Sequence, residues 1–149
     1  MTVNTWDVHP PLHYLMGKVV AKLCAMLGID LLYGLKVLSI IPYIIILIIS
    51  ASKLKKDYGW FATGLFTFSL AVMSEFFRYF LTARMYSLGI LFVLLAFLAF
   101  REIINDSSSK KSWILLTIFS VLCAYTHNFA AITAGVIYLI LFGYIIIYK

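Results

Sequence analysis

The residues of this chain able to do chemistry are few, and they gather at the ends of apolar runs. Asp7-Val8-His9-Pro10-Pro11-Leu12 sets a carboxylate and an imidazole just ahead of a double proline. A carboxylate can take a proton from a hydroxyl, and a cationic donor can hold a departing phosphate. Ala83-Arg84-Met85-Tyr86-Ser87-Leu88 supplies a guanidinium, whose fork of donors matches phosphate geometry, with a tyrosine two positions on. Glu75 and Arg78 are three apart and so share a helix face. Tyr125-Thr126-His127-Asn128-Phe129-Ala130 carries the one histidine of the C-terminal third.

Each group also has a plainer reading. Asp7 can close an Asx turn ahead of Pro-Pro, and on residue chemistry alone that reading comes first for Asp7 and His9. Glu75 and Arg78 can lock two helices as an ion pair, on equal terms with a site role. Arg84 can snorkel and Tyr86 can sit in an interfacial aromatic belt; Arg84 leans to phosphate, Tyr86 to the belt. A lone histidine at a turn is more often a satisfied interfacial residue than a ligand. His, Cys, Asp and Glu show no metal-ligand spacing.

The elements that must position these groups are membrane helices. The 149 residues are 64% hydrophobic and 12% charged, with a mean hydropathy of +1.02, whereas a soluble domain is about half apolar and a quarter charged. The net charge of +6 does not indicate nucleic acid, because the basic residues end apolar runs as topology signals do. Cys24 and Cys123 have no CxxC partner and read as small apolar residues.

Residues 1–11 show no helical period. A helix is expected to start near Pro11, where proline suits the first turn. From Leu12 to Leu27 the apolar residues Leu12, Leu15, Met16, Val19, Leu23 and Met26 recur at three- and four-residue steps, with Lys18 and Lys22 on another face. That pattern predicts an amphipathic interfacial helix ended by Gly28. Five spans follow: about 31–52, with Pro42 as a kink, then about 60–80, 85–100, and two from Ser112 to Tyr148 broken near Thr126-His127-Asn128. The loops are expected at 53–57 and 101–111. These loops and Lys149 hold seven Lys or Arg residues on one side, expected to be cytoplasmic. The other side, expected outside, takes the Asp7 stretch and the turns at Arg84 and His127. Residues 1–30 thus form an external loop and interfacial helix, and 31–149 the spans. Neither a signal peptide nor a span precedes Asp7 to carry it across, so a shortened chain is expected.

The three quoted runs resemble the protein O-mannosyltransferase type of membrane glycosyltransferase, the GT-C-fold enzymes that include family-39-like members. The resemblance covers nearly the whole chain. It implies a GT-C-like bundle in a multi-pass membrane protein. It also implies transfer of mannose or another hexose from a polyprenyl- or dolichyl-phosphate-linked donor to a protein, lipid or polysaccharide acceptor outside the cytoplasmic membrane. On that resemblance Asp7 is the catalytic carboxylate, and His9, Arg78, Arg84, Tyr86 and His127 bind substrate. No cofactor is specified, and a divalent metal stays open. Two features depart from the family. Its acidic Asp-Glu pair lies a few tens of residues before the Asp-His-Pro-Pro motif, and here six non-acidic residues precede Asp7. Where many relatives have an aromatic residue after the histidine, this chain has Asn128. The chain is therefore expected to be an internal piece, and a non-catalytic helix bundle that binds lipid or a partner is the alternative.

The topology is checked with single cysteines in a chain whose Cys24 and Cys123 are replaced by serine. Asn128→Cys is expected to react with an impermeant maleimide in intact cells, and Ser108→Cys only after the membrane is opened.

Overall fold

The computed structural model describes residues 11–72 and 85–148. Among these the protein is helical throughout: α1 (Leu12–Leu27), α2 (Leu31–Ile49), a π-helical turn (Ser50–Leu54), α3 (Lys55–Val72), α4 (Tyr86–Asn105), α5 (Lys110–Thr126) and α6 (Asn128–Tyr148). The chain divides into two compact units, one built on residues 14–91 and one on 92–148.

In the first unit α1 has the bounds the sequence predicts. Gly28, at φ +66°, takes the left-handed conformation that ends it. The Ile29 amide then reaches back to the Cys24 carbonyl at 3.0 Å, the six-to-one bond of a glycine-terminated helix. Asp30 starts α2 immediately, its carboxylate accepting from the Leu32 amide at 2.7 Å. The resulting hairpin is close because Gly34 lies at the crossing. A Cβ there would fall 2.9 Å from Val20 Cγ1 and run into the Cys24 thiol. On its other face α1 exposes Leu15, Val19, Leu23 and Met26 beside Lys18 and Lys22.

The backbone from Leu31 to Val72 differs from expectation. The predicted loop at 53–57 is helical. Lysines are good helix formers, and the serines there bond back along the helix: Ser50 Oγ donates to the Ile46 carbonyl and Ser52 Oγ to that of Ile48, both at 2.7 Å. The break falls instead at Gly59, whose φ of 77° and ψ of 177° are outside helical values. Helix continues through Pro42.

The second unit has one core shared by three helices. Ala96, Ala99 and Ile103 of α4 pack with Leu116 of α5 and Ile137 and Leu141 of α6. A second layer joins Cys123, Ala130 and Ala134 to Phe92 and Val93. Ile103, 1% exposed, draws α4 through Arg101 and Glu102 to Asn105. The predicted loop at 101–111 accordingly shrinks to Asp106–Ser109. The Asp106 carboxylate accepts from the Ser108 amide at 3.0 Å and hydroxyl at 2.7 Å. Ser109 caps α5, and the Trp113 indole donates to the Ser107 carbonyl at 3.0 Å.

Large apolar side chains face outward on α6, among them Ile132, Leu139, Phe142 and Ile146. Among the described residues, three stretches are long and apolar enough to cross a bilayer: Leu31–Val72, Tyr86–Asn105 and Asn128–Tyr148. This is fewer than the five expected. Leu31–Val72 is one helical run interrupted only at Gly59, and α5, at 17 residues, spans ~26 Å against a core of roughly 30 Å.

Gly34→Val tests the hairpin. The Cys24 thiol can rotate away, but the Val20 methyl is on a stiff β-branched side chain. Overpacking of this kind costs about 1–3 kcal/mol. Cys24, 6% exposed, is expected to become several-fold more reactive toward a maleimide, read by peptide mass, with Gly34→Ala giving a smaller rise.

Candidate functional site

Of the residues singled out for chemistry, Asp7, His9, Glu75, Arg78 and Arg84 lie outside the described residues. Tyr86 and His127 lie within them. Tyr86 is the first residue of α4, half-buried, in the unit of residues 14–91. His127 is in the unit of residues 92–148 and is the entire connection between α5 and α6.

The break at His127 occurs without glycine or proline. Its amide still donates to the Cys123 carbonyl at 3.0 Å, completing the last turn of α5. The backbone then extends, at φ −160° and ψ 138°. The His127 carbonyl receives the Ala131 amide at 3.0 Å, which opens α6. Its ring Nδ1 accepts from the Phe129 amide at 3.2 Å. This is the geometry of an N-cap: the side chain two residues before an orphan amide accepts its hydrogen. Because Nδ1 accepts, the ring is neutral there with its proton on Nε2. Stacking on Phe129, at 5.5 Å between centroids and 20° between planes, holds the imidazole in place. Thr126 is fully buried and donates its hydroxyl to the Leu122 carbonyl at 2.6 Å.

Two residues missed by site reasoning are notable. His13, in the first turn of α1, is 9% exposed, and burial holds its imidazole below the usual histidine range. The charged form is the one burial penalises, so His13 is neutral at pH 7. Ser87 follows Tyr86 and is fully buried, its hydroxyl without a hydrogen-bond partner among the described residues. Its place inside the Arg-Met-Tyr run was the available signal.

Cys24 and Cys123 are both free and buried, as small apolar residues would be. Among the described residues no three His, Cys, Asp or Glu side chains gather where they could hold a metal ion. Comparison with known proteins finds no matching family model, no matching curated protein and no matching solved structure.

Replacing the cap tests the junction. His127→Asn keeps a side-chain acceptor and is expected to leave thermal stability in detergent near that of the unmodified chain. His127→Leu removes it and is expected to cost about 1 kcal/mol, seen as a melting point lower by a few degrees.

Proposed function

We propose that this chain forms the membrane-embedded helices of a lipid-phosphate-dependent glycosyltransferase of the GT-C type. The donor is a hexose, mannose or another, on polyprenyl or dolichyl phosphate. The acceptor is a hydroxyl of a protein, lipid or polysaccharide on the outer face.

One observation carries the reading. Each of the three motif runs leads into the N-terminus of a helix: Asp7–Leu12 into α1 at Leu12, Ala83–Leu88 into α4 at Tyr86, and Tyr125–Ala130 into α6 at Asn128. Helix N-termini carry a positive dipole end and so favour an anion such as a phosphate, although at α6 the Phe129 amide is already taken by the His127 ring. The apolar exterior of α6 suits a substrate that arrives through the bilayer.

In this reading the Arg84 guanidinium, with Arg78 and His9, holds the donor phosphate and takes up the charge it gains on leaving. Asp7 accepts the proton of the acceptor hydroxyl as that oxygen attacks the anomeric carbon. The bond from sugar to phosphate oxygen breaks, and the lipid phosphate departs. Tyr86 and His127 are the further substrate-binding candidates. The alternative, a non-catalytic helix bundle, draws on His127 itself, since a helix cap accounts for that side chain without a substrate.

The test is transfer of radiolabelled mannose from its polyprenyl phosphate by membranes holding the chain. Arg84→Ala is expected to lower transfer about 100-fold at an unchanged protein level, the loss typical for one transition-state donor. Arg84→Lys is expected to retain part of it. An unmodified chain that transfers none of the hexoses offered would decide for the non-catalytic bundle.

A further inference from the structure

The segment joining α2 to α3 holds features that sugar transfer leaves unused. α2 runs over 19 residues, ~28 Å, close to the thickness of a bilayer core, with Lys36 near its start as its one charge. The chain therefore reaches headgroup level at about Ser50. Lys53, Lys55 and Lys56 follow within four positions, with Asp57 the single acid between 50 and 61. Gly59 then breaks the helix. Beyond it Trp60 is 75% and Phe61 87% exposed. Lys55 crosses the break, its Nζ 3.9 Å from the centroid of the Trp60 ring. That contact is a cation–π interaction, and it holds the indole beside the lysines.

Lys53 and Lys56, one helical turn apart, repel one another, and an anion between them relieves the repulsion. Two large exposed rings favour an apolar phase. A partner that meets both must offer negative charge and hydrocarbon within a few ångströms of each other, as the boundary between phospholipid headgroup and acyl chain does. Lysines on flexible stems beside aromatic rings suit that boundary.

We infer that the knee from Lys53 to Phe61 is a docking site for anionic phospholipid headgroups. Lys53 and Lys56, both exposed, take the headgroup phosphate. Trp60 and Phe61 enter the acyl boundary, and Lys55 fixes the indole across Gly59. The inference needs only that α2 crosses the membrane, and stands apart from the transferase reading.

Electron paramagnetic resonance of spin-labelled lipids tests it on the full chain in phosphatidylcholine vesicles. Labelled phosphatidylglycerol is expected to be held about fivefold more strongly than labelled phosphatidylcholine at low salt, with the preference shrinking as salt rises. Lys53→Gln/Lys56→Gln is expected to lose most of that preference. Lys53→Arg/Lys56→Arg and, in the first turn of α5, Lys110→Gln/Lys111→Gln are each expected to keep most of it. Equal retention of the two labels by the unmodified chain would overturn the inference, as would equal losses in the two glutamine pairs. Circular dichroism of each variant confirms that the helices persist.

Discussion

A peptide group surrounded by hydrocarbon has no water to bond, so backbone in that setting must satisfy itself, and the helix is one of the two ways to do so. The described residues follow this constraint in detail. Helix is interrupted only at short joints, and beside the break at Gly59 these joints bring their own partners: the Gly28 turn with Asp30, the Asp106–Ser109 turn with Trp113, and the ring of His127. Many side-chain hydroxyls follow the same rule, with Thr63, Ser87 and Ser120 buried exceptions among the described residues. Those of Ser50, Ser52, Thr67, Ser69, Thr117, Thr126 and Thr133 donate to carbonyls three or four residues back. A polar side chain that is folded onto its own helix leaves the outer surface apolar.

With apolar groups outside as well as inside, oily residues gain little by moving from lipid to protein, and close contact does more of the work. The interfaces reflect this. Gly34 lets α1 and α2 approach until an added methyl group would collide. Ala96, Ala99, Ala130 and Ala134 stand at the contacts among α4, α5 and α6, while the larger Ile132 and Leu139 face away. Small residues thus join Ile103, Leu116, Ile137 and Leu141 where the helices meet, while other bulky side chains face outward.

Much of the fold was legible because period and punctuation coincide. The bounds of α1 follow from a proline at one end and a glycine at the other, and the break near His127 follows from the length of the apolar run. The connections at 53–57 and 101–111 are shorter than their charge and serine content suggests. Lysine, arginine and glutamate are at home in helices, and Ile103 behind Arg101 and Glu102 is a core residue, so the helical period ran on where composition changed. The candidate site was legible as motifs but less so as roles. That His127 is a cap is not evident from residue type, because histidine is not among the usual capping residues. Asp7, His9, Arg78 and Arg84 stay proposals carried by their motifs.

The junction at His127 also bears on how the chain can vary in length. A connection of one residue holds no slack. One residue added in the first turn of α6 would turn the rest of that helix by about 100°, moving Ala134, Ile137 and Leu141 off the core face and bringing their outward neighbours onto it. At this joint insertions and deletions are therefore frame errors of a structural kind, whereas the turn at Asp106–Ser109, with polar residues in the open, could lengthen without rewriting either helix.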